Sequence, residues 1–297
     1  MHVDEVDTGA ELVRRLVAEQ FPGWSHLPIR RVPSAGTDNA IFRLGDELAV
    51  RMPRIHWATS QIATEQTWLP VLRGELPLAI PEQLAIGEPA DGYPYSWAIY
   101  RWIDGEDANS ATPPDMSQLA RDIGGFVAAL RRIDPAGGRN ASEHRLRGSP
   151  LAGRDAATRT AIGKLAGMYD TRDLLASWEA SLAAPEWDGP PTWFHGDLLP
   201  GNVILRHGAA HAIIDFSGLG VGDPACDLMI GWALFEGESR KAFRASVGAG
   251  EAEWLRGRGC ALSQAVIFIP YYLQTNPAGV KAARKSLEAV LQDSTRP

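Results

Sequence analysis

The sequence predicts an α+β fold in two lobes, a small N-terminal lobe with an antiparallel sheet and a larger, mainly helical C-terminal lobe. Three observations carry that prediction. Short β-branched or alternating apolar runs are concentrated before Asp104, helix-period patterns dominate after Gly105, and 297 residues are more than one compact core usually organises.

Taken in order, Thr8-x-x-Glu11 has the form of a capping box and opens a helix through about Gln20, with Leu12, Leu16 and Val13 on its buried face. Ile29 to Val32, Ala40 to Leu44 and Leu48 to Met52 are strands, the last two joined by a Gly45-Asp46 turn. A helix follows from about Ala58 to Arg73, then a strand from Ser96 to Ile103, and Asp104-Gly105 breaks the pattern. The lobe boundary is placed there, giving 1–104 and 105–297. Helices are expected at Asp115 to Ile133, Ala152 to Tyr169, Asp173 to Ala183 and Pro224 to Phe235, and from Glu251 to the C-terminal end with a break at Asn276-Pro277. The Pro and Gly cluster between Pro135 and Pro150 is read as a loop.

Composition excludes several classes of function. A formal net charge of -7 argues against a nucleic-acid partner, since phosphate backbones reward Lys and Arg. Cys226 and Cys260 are too few for a disulfide framework, and the acidic start MHVDEVD lacks the form of a signal peptide. The longest apolar run, Ala265 to Leu273, is interrupted by Pro270 and falls short of a bilayer span. A soluble cytoplasmic protein without a membrane partner is expected, and no internal repeat or low-complexity tract is visible.

The chemistry is concentrated in His195-Gly196-Asp197-Leu198-Leu199-Pro200-Gly201-Asn202 and, after a short connection, Ile213-Ile214-Asp215-Phe216-Ser217. H-x-D-x-x-x-x-N followed by D-F-S has the spacing of a kinase catalytic loop and its metal-binding aspartate. Moving a γ-phosphoryl group requires a carboxylate to orient and deprotonate the attacking hydroxyl, and oxygen ligands for the Mg²⁺ that neutralises the triphosphate. Asp197 suits the first task, Asn202 and Asp215 the second. The apolar segments Val203 to Leu205 and Ala212 to Ile214 are read as a hairpin holding both metal ligands on one rim. Singly, either aspartate would serve equally well as a turn cap or surface carboxylate; order and spacing together favour catalysis.

The N-terminal part must then supply a nucleotide site. The turn from Ser34 to Asn39 offers small residues, hydroxyls and backbone N–H groups at Ser34, Gly36 and Thr37 where phosphates would lie, or is an ordinary hairpin loop. Gly218 to Gly222 lacks the Lys and the spacing of a Walker A loop. On the third strand Arg51 stands where a kinase carries its phosphate-binding Lys, with Glu65 on the next helix as its possible partner. The alternatives are an exposed strand Arg and a solvated helix carboxylate.

In order, the motifs G-T-D-N, V-R-M-P-R, W-x-x-x-R-W-x-D-G, H-G-D-L-L-P-G-N, I-I-D-F-S and G-D-P-A-C-D-L resemble those of the aminoglycoside phosphotransferase family, the antibiotic-kinase branch of the protein-kinase-like fold. The resemblance runs from about Pro33 to Leu234. V-R-M-P-R is closer to the L-R-I-P-R of macrolide phosphotransferases than to the strand Lys of kanamycin kinases. The family implies ATP or GTP, with Mg²⁺, beneath a hinge at Tyr100 to Ile103, the backbones of Arg101 and Ile103 facing the nucleobase. Carried over by position, Asp197 is the general base, Asn202 and Asp215 the Mg²⁺ ligands, and Arg51 the phosphate contact. His195 belongs to the catalytic loop as an orienting residue. Asp223 and Asp227 flank a helix start where carboxylates suit the dipole, and Asp227 is also placed to tether the catalytic loop.

The acceptor is less legible. The family implies an antibiotic hydroxyl, and an acidic cleft would suit a polycationic aminoglycoside. Trp232, Phe235, Phe268, Tyr271 and Tyr272 would line an apolar pocket for a macrolide or nucleoside, or fill helix cores; Trp178, Trp187 and Trp193 are read as packing residues. An antibiotic kinase is therefore one reading and a metabolic kinase for a sugar, choline-like or amino-alcohol acceptor a second. A third is a pseudokinase or binding module, for which Arg51 speaks.

Overall fold

A computed structural model describes residues 5–33, 38–111, 113–144 and 147–294. The N-terminal lobe opens with α1 (Ala10–Gln20), β1 (Ile29–Arg31), β2 (Asn39–Leu44), β3 (Leu48–Pro53) and α2 (Thr59–Arg73). It closes with β4 (Gln83–Gly87) and β5 (Trp97–Arg101). The five strands form an antiparallel sheet in the order β1-β2-β3-β5-β4. Strand periodicity divides its faces: Phe42, Leu44, Val50, Met52, Trp97 and Ile99 pack with Val13, Leu16 and Val17 of α1 in one core. Ala98 and Tyr100, between those positions, join Ile62, Leu69 and Leu72 of α2 in the other. Arg51, lying between Val50 and Met52, therefore points to the α2 side.

The remainder contains β6 (Glu106–Asp107), α3 (Met116–Leu130), the short α4 (Ala141–His144), α5 (Asp155–Lys164), α6 (Thr171–Leu182) and β7 (Thr192–Phe194). The β8 (Val203–Arg206) and β9 (Ala209–Ile213) hairpin and β10 (Gly220–Gly222) precede the short α7 (Ile230–Ala233), α8 (Gly237–Val247), α9 (Glu251–Tyr272) and α10 (Pro277–Ser294). The hairpin pairs Val203 with Ile213 and takes β6 on its other edge, while β10 pairs with β7 behind the catalytic loop. Ala79, in the connection after α2, donates its N–H to His211 and accepts from Ile213 at 3.1 and 2.9 Å, adding itself to the edge of β9. A large core spans α3, α5 to α10 and the α2 side of the first sheet.

Several local expectations need correction. Gly9, not Thr8, is the N-cap of α1, with no side-chain cap bond, and the Thr8 hydroxyl is buried without a hydrogen-bond partner among the described residues. Val13, Leu16 and Val17 make the buried face, with Leu12 half-buried at its edge. Strand β4 and helix α8 were not anticipated: β4 is half-buried along most of its length, without the clean alternation that marks a strand, and α8 carries six charged or hydroxyl side chains in eleven residues. The helix expected from Ala152 to Tyr169 spans only Asp155–Lys164, preceded by a tighter turn. Residues Pro224–Met229 form a 3-10 turn before α7, because Asp223 caps a Pro-initiated turn whose side chains are all buried. Trp232 and Phe235 are core, as are Trp178 and Trp193. Both cysteines are free and buried, and among the described residues no helix is long and apolar enough to cross a membrane.

Candidate active site

The catalytic-loop segment runs from the end of β7 to the start of β8. Its first residues are fixed from below by Asp227, whose buried carboxylate accepts the backbone N–H groups of His195 at 2.7 Å and Gly196 at 2.8 Å. Burial lifts the Asp227 carboxyl above its ordinary value, an effect these N–H donors oppose. His195 is fully buried with both ring nitrogens engaged: Nδ1 accepts the Asp197 N–H at 3.1 Å, and Nε2 lies 3.1 Å from the Ile214 carbonyl. A backbone N–H only donates and a carbonyl only accepts, so the ring carries its proton on Nε2. It ties the loop bearing Asp197 to the residue before Asp215, which is orienting geometry.

Gly196 explains why glycine follows the histidine. Its φ is +80°, and a Cβ there would lie 2.3 Å from the Gly218 carbonyl oxygen, so the loop crosses the segment after Asp215 backbone to backbone. Asp215 itself adopts a left-handed φ of 63°, turning the chain out of the hairpin; its Oδ1 accepts the Ser217 N–H at 3.3 Å.

The two predicted metal ligands bracket the β8–β9 hairpin, Asn202 just before β8 and Asp215 just after β9, and the Asn202 carbonyl accepts the Ile214 N–H at 2.9 Å. The Asn202 amide nitrogen donates to the Asp197 backbone oxygen at 2.8 Å and to Oδ2 at 3.2 Å, leaving its side-chain oxygen as the donor for a cation. Asp215 retains Oδ2. Oxygen donors of this kind fit Mg²⁺, and because no cluster of three His, Cys, Asp or Glu side chains occurs among the described residues, water and nucleotide phosphate would complete the shell.

Arg51 is neither exposed nor alone. Nη1 donates to Glu65 Oε1 at 2.6 Å, Nη2 to Gln61 Oε1 at 2.5 Å, and Nη2 lies 3.6 Å from Asp215 Oδ1. Glu65, 1 % exposed, also accepts the Tyr100 hydroxyl at 2.6 Å. Burial works against the Arg51 charge, but Glu65 and Asp215 outweigh it and hold the guanidinium above its ordinary value. Burial would raise Asp215 in turn, yet Arg51 and the Ser217 contact bring its carboxyl below the usual range. A strand residue of one lobe thus meets the D-F-S aspartate of the other.

The hinge is partly engaged. The Arg101 N–H donates to the Glu82 carbonyl at 2.9 Å and its side chain is exposed on Glu82, so that N–H is already engaged within the sheet. Ile103 follows the end of β5. Ser34, Gly36 and Thr37 lie outside the described residues. Asp223 accepts from Ala225 at 3.0 Å and pairs with Arg256 at 2.7 Å, a structural role. Of the C-terminal aromatics, Phe268 and Tyr272 are half-buried and stacked, and Tyr271 is exposed.

Two participants escaped the sequence. Gln61 stands one helical turn before Glu65 on the same face of α2, a spacing that would have revealed it once Glu65 was chosen. Arg147, whose Nη1 donates to Asp197 Oδ1, lies in the Pro and Gly segment read as a plain loop, and no spacing links it to the catalytic motif.

A two-lobed fold with this order of loop, hairpin and D-F-S turn is that of a kinase-like phosphotransferase. A family model, the phosphotransferase enzyme family APH, matches residues 29–260, and the chain belongs to that family. No curated protein matches the sequence. Among solved structures, the GDP and kanamycin complex of APH(2")-IIia has a TM-score of 0.74 at 18% identity, covering 95% of this chain and 98% of that one. The apoenzyme of macrolide 2'-phosphotransferase MphH from Brachybacterium faecium has a TM-score of 0.62 at 22% identity, covering 97% and 98% respectively. The streptomycin-ATP-APH(2")-IIa ternary complex has a TM-score of 0.61 at 18% identity, covering 96% and 99%. At these identities the likeness is one of fold.

Proposed function

We propose that this phosphotransferase moves the γ-phosphoryl group of ATP or GTP to a hydroxyl of a small molecule, with residues 1–104 serving the nucleotide and 105–297 the catalytic loop and acceptor. Asp197 is the base, accepting the acceptor's hydroxyl proton as the new O–P bond forms and the bond to the β-phosphate oxygen breaks. Asn202 and Asp215 would hold Mg²⁺, which supplies charge neutralisation of the phosphates when bound. Arg51, positioned by Glu65 and Gln61, contacts phosphate, and the backbones of Arg101 and Ile103 meet the nucleobase. His195 and Asp227 position the loop.

One observation carries the reading: Asn202 donates to Asp197 at 2.8 and 3.2 Å while His195 links the Asp197 N–H to Ile214, so base and metal side chains are held as one unit. The neighbours whose structures contain GDP with kanamycin, or ATP with streptomycin, support nucleotide use and make antibiotics of the aminoglycoside and macrolide type the first acceptors to test. A metabolic acceptor is the second reading, favoured by the cation that Arg147 places on Asp197. The test is nucleotide consumption with Mg²⁺-ATP and Mg²⁺-GTP against aminoglycosides, macrolides, nucleosides, amino alcohols and sugars. Turnover is expected with one acceptor class, reduced by about 10²-fold or more in Asp197→Asn. Folded protein that binds neither nucleotide, or an Asp197→Asn variant with undiminished turnover, would sink the proposal.

A further inference from the structure

Asp197 is held from three directions. Its Oδ2 accepts the Asn202 amide at 3.2 Å, its backbone N–H donates to His195 at 3.1 Å, and its Oδ1 accepts Nη1 of Arg147. The first two contacts lie within the catalytic loop and keep Asp197 beside the metal ligands. The third comes from outside the loop and covers the oxygen that Asn202 leaves unengaged. Arg147 and Asp197 have side-chain exposures of 29% and 23%, so the pair borders water and can open without unpacking the core.

Arg147 reaches that oxygen because its segment is fixed to the strands that carry the catalytic loop. The Gly148 carbonyl accepts the Asp223 N–H at 3.0 Å, and Phe194, the last residue of β7 before His195, leaves no room for a Cβ on Gly148. Asp223 is held in turn by Arg256 at 2.7 Å. Upstream, the Arg139 carbonyl accepts the Val221 N–H of β10 at 2.8 Å, and Ser149 Oγ closes the segment on the Ala141 carbonyl at 2.8 Å. The backbone is thus docked on β7 and β10 on both sides of Arg147, while the side chain crosses to Asp197.

A fixed backbone with a half-exposed charged head suits a part that yields to a competitor. An acceptor anchored through the rest of its surface presents its hydroxyl to Oδ1 at an effective concentration far above that of free water. Water would have to displace a charge-assisted hydrogen bond unaided. Resting on the assignment of Asp197 as base, we propose that Arg147 is a selectivity residue: it covers the proton-accepting oxygen until a bound acceptor hydroxyl takes its place, and so keeps water from serving as the phosphoryl acceptor. In the reaction held back, a water oxygen bonds to the γ-phosphorus and the bond from phosphorus to the β-phosphate oxygen breaks. The water proton passes to Oδ1 and on to solvent, leaving nucleoside diphosphate and phosphate. Arg147 acts through Asp197 and is a positioning residue.

Hydrolysis without acceptor, at saturating Mg²⁺-ATP or Mg²⁺-GTP, is compared in full-length wild type, Arg147→Met, Arg147→Gln and Arg147→Lys. The rate is expected to rise about fivefold in the Met and Gln variants, the factor by which an ion pair of this exposure holds its partner, with the nucleotide KM unchanged. It should stay at the wild-type level in Arg147→Lys, which keeps the cation for this single contact. Adding Asp197→Asn to Arg147→Met should cancel the rise. In nucleotide-free protein, the urea-midpoint shifts of Arg147→Met and Asp197→Asn should together exceed that of the double variant, which leaves neither charge unpaired. Unchanged or lowered hydrolysis in both uncharged variants, an equal rise in Arg147→Lys, a rise that survives Asp197→Asn, or strictly additive midpoint shifts would overturn the inference. Acceptor turnover that is lost in Asp197→Asn, with no rise in Arg147→Met, confines the failure to the role of Arg147. Acceptor turnover undiminished in Asp197→Asn would instead remove the base assignment, and the inference with it.

Discussion

Replacing Arg51 by Met distinguishes an exposed strand arginine from the buried pair described above. The substitution removes the cation but keeps an apolar side chain of similar reach. Glu65, 1 % exposed, would retain only the Tyr100 hydroxyl at 2.6 Å, and Gln61 would lose its donor at 2.5 Å. Breaking a buried ion pair from one side costs about 3–5 kcal/mol, most of it the stranded charge. Glu65→Gln strands Arg51 less severely, because Asp215 remains 3.6 Å from Nη2. The Arg51→Met, Glu65→Gln double variant leaves no unpaired charge within the pair, so its cost should fall short of the two single costs added together by about 2 kcal/mol, within the usual coupling of contacting residues. Urea unfolding followed by tryptophan fluorescence gives the three differences, and Mg²⁺-nucleotide affinity measured on the same samples reports the phosphate contact. Costs for Arg51→Met below about 0.5 kcal/mol, the range of a surface substitution, or strictly additive singles, would refute the buried-pair reasoning.

Gly196→Ala places a methyl group 2.3 Å from the Gly218 carbonyl oxygen at a φ of +80°. Strain of this kind costs about 1–3 kcal/mol before the clash is counted, so lowered stability together with a loss of turnover larger than that of Gly201→Ala is expected in the same two assays; equal stability and activity would show that the loops do not cross as described. Asp215 has a folded-state pKa below its ordinary value, so its ionised form adds stability above the unfolded carboxylate pKa of about 3.9, and that increment is lost as pH falls through the lower folded value. The gap in urea midpoint between wild type and Asp215→Asn should accordingly narrow from neutral pH toward pH of about 3, and a gap that widens on acidification would contradict the Arg51 and Ser217 contacts.

How much was legible in the sequence depended on whether a residue's partners are local. Asp197, Asn202 and Asp215 belong to one continuous loop and hairpin, so spacing alone placed them together. The strand position of Arg51 and the helix position of Glu65 were legible too, though the choice between a buried pair and two solvated charges was not: it depends on which sheet face α2 covers, a property of the assembled core. Strand β4 eluded periodicity because both its faces are half-covered, and Arg147 did so because the Pro and Gly punctuation that marks a loop says nothing of where the loop docks. The C-terminal aromatics fit two readings from sequence, and burial resolves Trp232 and Phe235 as packing.

The addition of Ala79 to the edge of β9 has a consequence for how the chain divides. Helix α2 presents Ile62, Leu69 and Leu72, and the next segment Ile80, to the same core that holds α3 and α9. A fragment ending at Asp104 would keep only Ala98 and Tyr100 of the sheet against those side chains and expose to water what α3 and α9 cover. The lobes are thus partners in function but not interchangeable cassettes: a nucleotide half grafted from a relative would have to bring a matching α2 face and a backbone edge that β9 accepts, or the Arg51 and Asp215 sides of the cleft would not meet.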